Sequence, residues 1–143
     1  MDTLSLTKEA RIYNGSQTAV YKNLCDLNNI GKYGDRIPPG LLDSFTFDSD
    51  SMEVNINPVG RMKLVITERA EPKHIKFQTE SAPLDCKMWI QLKEHTPQTC
   101  LMKLTVKAEM TPLVKMMAGN RIEDGIEKMA DMLSKIPYDQ NME

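Results

Sequence analysis

The chain has 143 residues and a mass of 16.3 kDa, enough for one ordinary domain and too short for two. Apolar residues make up 41% of it, about 46% once the seven glycines are added, which is the globular range and excludes disordered and fibrous classes. Eighteen basic residues against twenty acidic ones leave a net charge of −2, so bulk electrostatic capture of nucleic acid or of an anionic membrane is excluded as a partner class.

The first residues lack the charged head and apolar core of a signal peptide, and no apolar run approaches the roughly 18 residues that span a bilayer, so no stable membrane insertion is expected. Three cysteines, Cys25, Cys86 and Cys100, are too few for a disulfide scaffold and read as free thiols of a cytoplasmic protein. Eleven methionines outnumber the eight aromatic residues. Methionine adapts its shape cheaply, which suits a core built around something variable as well as one that is simply filled.

Taken in chain order, Leu4, Leu6, Lys8, Ala10 and Ile12 alternate with polar residues and predict a first strand. Asn14-Gly15 ends it, and Ser16 caps a helix whose stripe is Val20, Leu24 and Leu27. A second short helical turn is expected near Asn29–Tyr33, before Ile37-Pro38-Pro39-Gly40 forces a loop. Short strands then flank Asp48-Ser49-Asp50-Ser51, with Met52, Val54 and Ile56 on one face. Pro58-Val59-Gly60 turns the chain into Met62, Leu64 and Ile66; Ala70-Glu71-Pro72 turns it into Ile75, Phe77 and Thr79. Ser81-Ala82-Pro83 separates these from Cys86, Met88, Ile90 and Leu92, and His95-Thr96-Pro97 closes a hairpin into Met102, Leu104, Val106, Ala108 and Met110. Pairing Leu92 with Gln98 sets Met88 against Met102, Ile90 against Cys100 and Trp89 against Leu101. Thr111 and Pro112 open a long amphipathic helix carrying Met116, Ile122, Ile126, Met129, Met132, Leu133 and Ile136, and Pro137 stops it. Its Gly119 and Gly125 weaken it by about 1 kcal/mol each and mark a bend, a close approach or mere tolerance.

This order specifies an α+β fold: an antiparallel meander of about seven strands with one apolar face, two short helices after the first strand, and a long C-terminal helix to cover the sheet. A twisted sheet curled around such a helix leaves a concave apolar space, the usual location of a small-molecule site.

The opening strand followed by Ser16-Gln-Thr-Ala-Val-Tyr-Lys-Asn-Leu-Cys-Asp-Leu, then Gly60-Arg-Met-Lys-Leu-Val-Ile-Thr-Glu, Lys87-Met-Trp-Ile-Gln-Leu and Lys115-Met-Met-Ala-Gly, resembles the SRPBCC or START-like superfamily. That superfamily includes polyketide cyclases, lipid-transfer domains and birch-pollen-type allergens. The resemblance implies one helix-grip domain over residues 1–143, with a core of about 3–136 and a tail from 137 onward. It departs at Asp48-Ser49-Asp50-Ser51, where allergen-type members carry a glycine-rich loop, so no phosphate-loop behaviour is transferred.

The function implied is binding of a small hydrophobic molecule, lipid-, polyketide- or sterol-like, between sheet and helix. Its expected lining is Met62, Leu64, Phe77, Met88, Ile90, Met102, Leu104 and Val106 from the sheet, with Met116, Ile122, Ile126 and Met129 from the helix. Two alternatives stand beside it. A cyclase- or dehydratase-like enzyme would need an inward acid or base, for which Glu68 (in the parity of Ile66) and Glu9 are the only candidates; Glu68 sits at a strand end within reach of water, and no catalytic residue is assigned. A protein-interaction module of the chaperone-activator type, or a homodimer, would use the outer sheet face at Val65, Trp89 and Leu101. His74, His95 and the cysteines have neither metal-ligand spacing nor a nucleophile–base arrangement, so neither metal nor cofactor is expected.

Overall fold

The computed structural model describes residues 2–13, 15–31, 45–56, 60–80, 85–136 and 138. The chain runs β1 (Asp2–Ile12), α1 (Gln17–Leu24), α2 (Asn28–Gly31), β2 (Phe45–Phe47), β3 (Ser51–Ile56), β4 (Gly60–Ala70), β5 (His74–Thr79), β6 (Asp85–Thr96), β7 (Thr99–Met110) and α3 (Pro112–Ser134). The seven strands form one antiparallel sheet in the order β1-β7-β6-β5-β4-β3-β2, so the first strand returns to pair with the last. The loop expected at Ile37–Gly40 and the turns at Pro58-Val59 and Ser81–Pro83 lie outside the described residues.

Alternation builds the core. Ile12, Met62, Leu64, Ile75, Phe77 and every second residue of β6 from Cys86 to Leu92 and of β7 from Cys100 to Met110 are buried, while their neighbours face outward. Each large side chain so covered contributes about 1.5–3 kcal/mol relative to exposure. Ser16 caps α1 by accepting from the Ala19 amide, and Thr111 caps α3 by accepting from the Val114 amide. Val20, Leu24 and Leu27 are all buried, as their spacing requires. Gln17 donates to the Leu92 carbonyl at 3.0 Å, fixing α1 across the end of β6.

Three local expectations are corrected. The β6–β7 hairpin turns at Pro97-Gln98 and continues its ladder to Thr96 and Thr99, with an irregularity between Glu94 and Thr96. Met88 therefore faces Val106, Ile90 faces Leu104 and Trp89 faces Thr105, a displacement of four residues that leaves the inward set unchanged. A β-bulge between Ile66 and Glu68 reverses the parity of β4, so Glu68 pairs with outward Lys76 instead of continuing the inward row. Tyr138, assigned to the tail, is fully buried and its hydroxyl donates to the Leu133 carbonyl at 2.7 Å.

That tyrosine closes down on Gly15. A Cβ on Gly15 would stand 2.6 Å from Tyr138 Cβ, so only glycine admits the chain there. Beyond the bulge, Arg69 of β4 stands opposite buried Ile75 and donates to the Cys25 carbonyl at 2.9 Å, the Ser49 carbonyl at 3.3 Å and the Asp50 carboxylate at 2.7 Å. One side chain thus joins the end of α1 to the β2–β3 turn. Within that turn, Asp48 accepts from the Asp50 and Ser51 amides and from the Ser51 hydroxyl. Those bonds, the Asp50 amide first, hold its carboxyl below the usual range.

Candidate binding site between sheet and helix

Among the described residues, the backbone of α3 comes closest to β1 and meets β7 and β3 more briefly; the middle strands stand farther off. The sheet therefore wraps the helix, and side chains bridge the space at its centre. Met62, Leu64, Phe77, Met88, Ile90, Met102, Leu104 and Val106 all point into that space, and none is more than 5% exposed. Ile122, Ile126 and Met129 are buried on the facing side of α3. Eleven of the twelve expected lining residues are thus brought to one interior. The twelfth is not: Met116 is 76% exposed and points away from it, with Leu113 and Met117 beside it at 60% and 50%.

The helical phase explains the error and reveals a residue that was missed. Stepping back from Ile126 by fours and threes gives Ile122, Gly119 and Lys115, so Lys115 and not Met116 begins the inward stripe. Lys115 is half-buried and forms no ion pair among the described residues. The signal was in the sequence, since Met116 to Ile122 is a step of six, which rotates the side chain about 120° off the stripe.

Gly119 and Gly125 lie about 60° to either side of Ile122 on the helix wheel. A Cβ at Gly125 would meet nothing within 4 Å, and one at Gly119 would touch only Lys115 Cγ at 4.0 Å. Neither marks a close approach. Both leave open room alongside the apolar stripe.

The wall itself carries no carboxylate or histidine among the described residues. Glu68 is exposed and takes a 2.7 Å contact with His74 Nε2, which holds its carboxyl below the usual range, the opposite of what a buried general acid needs. Glu9 faces outward and is exposed. Lys8, on the inward face of β1, is paired with Glu127 of α3 at 2.8 Å, and that hydrogen bond holds its ammonium above the ordinary lysine value. Burial, with Asp85 nearby, pushes the Cys86 thiol up to about 11, and burial also raises Cys100; both behave as small apolar fillers. Among the described residues no three His, Cys, Asp or Glu side chains converge as a metal site would require, and no helix is long and apolar enough to cross a membrane.

Val65, Trp89 and Leu101 are each half-buried on the outer face, but the register separates them. Val65 sits between Ser51 and Gln78, Leu101 between Arg11 and Lys93, and Trp89 between Lys76 and Thr105. The ammonium groups of Lys76 and Lys107 stand 5.6 and 6.0 Å from the Trp89 ring centre, so lysines cover it.

No protein-family model and no curated protein matches the chain. Solved structures do. Norcoclaurine synthase from Thalictrum flavum, a point mutant in complex with a transition-state analogue, superposes with a TM-score of 0.70 at 15% identity, covering 98% of this chain and 97% of that one. The protein XoxI from Bacillus cereus gives 0.67 at 16% identity over 97% and 99% of the two chains. A START superfamily protein from Mycobacterium smegmatis gives 0.59 at 13% identity over 90% and 96%. With its seven-stranded sheet closed around a C-terminal helix, the chain has the helix-grip fold of the SRPBCC and START-like proteins.

Proposed function

We propose that the protein binds a small hydrophobic molecule between the sheet and α3, held by packing against the methionine-rich wall. The observation that carries this reading is the open room at Gly119 and Gly125 beside a wall of eleven apolar side chains without an acid or base among them. Such a wall offers contact area, about 25 cal/mol per Å², and little directional chemistry. Four of its members, Met62, Met88, Met102 and Met129, have the flexibility to repack around a guest. Lys115, at the N-terminal end of the inward stripe, favours a ligand with one anionic end over a wholly neutral one. The three unbridged thiols favour a cytoplasmic setting, and one domain over residues 1–143 is the matching organisation.

Native mass spectrometry of freshly purified protein tests the reading directly, and a co-purifying apolar mass is the expected result. In parallel, cis-parinarate is expected to bind with enhanced fluorescence, and Gly125→Leu to weaken that binding by about tenfold while unfolding normally. A chain that carries no small molecule and leaves the probe dark would refute it. The cyclase-like alternative would have to work with Glu68 and Glu9, both of which are exposed on the outer face.

A further inference from the structure

The outer face of the sheet holds an open groove of about 540 Å³ where β1, β7 and β6 run side by side. Its outward side chains are Glu9 and Arg11 of β1, Leu101 and Lys103 of β7, and Gln91 and Lys93 of β6. The register places half-buried Leu101 on the floor, directly between Arg11 and Lys93, with Lys103 two residues along. Three cations therefore ring an apolar floor against a single carboxylate. None of the three forms an ion pair among the described residues, whereas the surface charges of Lys8, Arg61, Lys63, Arg69 and Lys135 do. Beyond the groove the outer face is mixed, with Lys87, Lys107 and Lys76 beside Asp85, Glu109 and Glu68, and Tyr13, 66% exposed, extends the outward parity of Glu9 and Arg11. In a chain of net charge −2, the excess of three cations over one carboxylate is confined to the groove.

We propose that this groove docks an acidic, extended segment of another protein, with one apolar side chain seated on Leu101 and carboxylates on Arg11, Lys93 and Lys103. Charge complementarity selects the partner: Arg11 offers a planar fork for a carboxylate, and the lysines flank it as point charges. Nucleic acid fits less well, because the one tryptophan is covered by lysines and gives no stacking platform. A bilayer fits less well, because Trp89 and Leu101 are both half-buried and have little to insert. The groove opens away from the interior wall, so this inference stands or falls separately from the ligand reading.

The test titrates the whole protein into a short fluorescein-labelled peptide in which one leucine sits among aspartates and glutamates, read by anisotropy at low and high salt. Binding that weakens with salt, and by at least about tenfold in the triple variant Arg11→Gln, Lys93→Gln, Lys103→Gln, is the expected result. Lys103→Gln alone is expected to lose about threefold, which keeps the test alive if the triple variant unfolds. A control triple of equal charge, Lys22→Gln, Arg121→Gln, Lys128→Gln, should bind within about twofold of the parent. Equal loss in both triples overturns the proposal, as does undiminished binding of a peptide with serine in place of the leucine. Tighter binding of phosphatidylserine vesicles or single-stranded DNA than of the peptide overturns it too. So does self-association of the chain that the groove variant abolishes.

Discussion

The two ends of α3 are built to different standards. At its C-terminal end, Met132, Leu133 and Ile136 are buried with Tyr138, which packs against Gly15 while its hydroxyl donates to the Leu133 carbonyl. At its N-terminal end, Leu113, Met116 and Met117 are exposed, Lys115 is half-buried and unpaired among the described residues, and Gly119 leaves room beside it. The glycines differ too: a Cβ at Gly15 would collide with Tyr138, whereas one at Gly119 would touch only Lys115 Cγ at 4.0 Å and one at Gly125, midway along α3, would meet nothing within 4 Å. One end supplies stability, and the other is left free to accommodate.

The largest test of that division is Tyr138→Ala, expected to cost about 3–5 kcal/mol by urea unfolding, since it removes a fully buried ring and strands the Leu133 carbonyl. A loss below about 1 kcal/mol would mean the C-terminal end is not the anchor. Next comes a matched glycine pair. Gly15→Ala should destabilise by about 1–3 kcal/mol through the clash with Tyr138, while Gly125→Ala should stabilise by about 1 kcal/mol through helix propensity alone. The comparison breaks if the two substitutions have the same sign.

A smaller effect concerns selectivity. Lys115→Gln is expected to weaken binding of cis-parinarate by about threefold to tenfold and to leave the neutral probe N-phenylnaphthylamine unchanged, read by fluorescence titration. Equal weakening of both would assign Lys115 to packing alone. The smallest effect is in the thiols. Cys86 lies near the loose end, opposite Ala108, and Cys100 near the anchored end, opposite Ile12. After half-buried Cys25 has reacted with a disulfide reagent, Cys86 should follow before Cys100, because opening is cheaper where packing is looser. With the Cys86 thiol held up to about 11, its rate should still be rising with pH above about pH 10, where a thiol of ordinary value 9.0 has nearly levelled off.

Much of this architecture was legible in the sequence because it rests on parity and capping. Alternation from Cys86 to Leu92 and from Met102 to Met110 names the buried face without reference to any partner strand. The pairing was not legible. Sliding β7 by four residues past β6 still brings apolar side chains together, so matching by hydrophobicity cannot choose between registers that differ by an even number. Glu68 was misplaced for a different reason: an inserted residue reverses every side chain beyond it, and no residue type in Ile66-Thr67-Glu68 announces a bulge. The groove at Leu101 was hidden behind both problems. Its basic walls come from the β6–β7 hairpin and from β1, which is far away in sequence and meets the hairpin only through the β1–β7 pairing.

The chain has one tryptophan, and it lies on the outside of the sheet beneath two ammonium groups. Its emission is therefore an optical readout of the outer face and almost blind to the interior: a docking protein that draws the lysines away will change its colour and brightness, while a guest buried under α3 will not. Nature has in effect placed a lamp on one side of the wall, and a single spectrum tells which side a newcomer has reached.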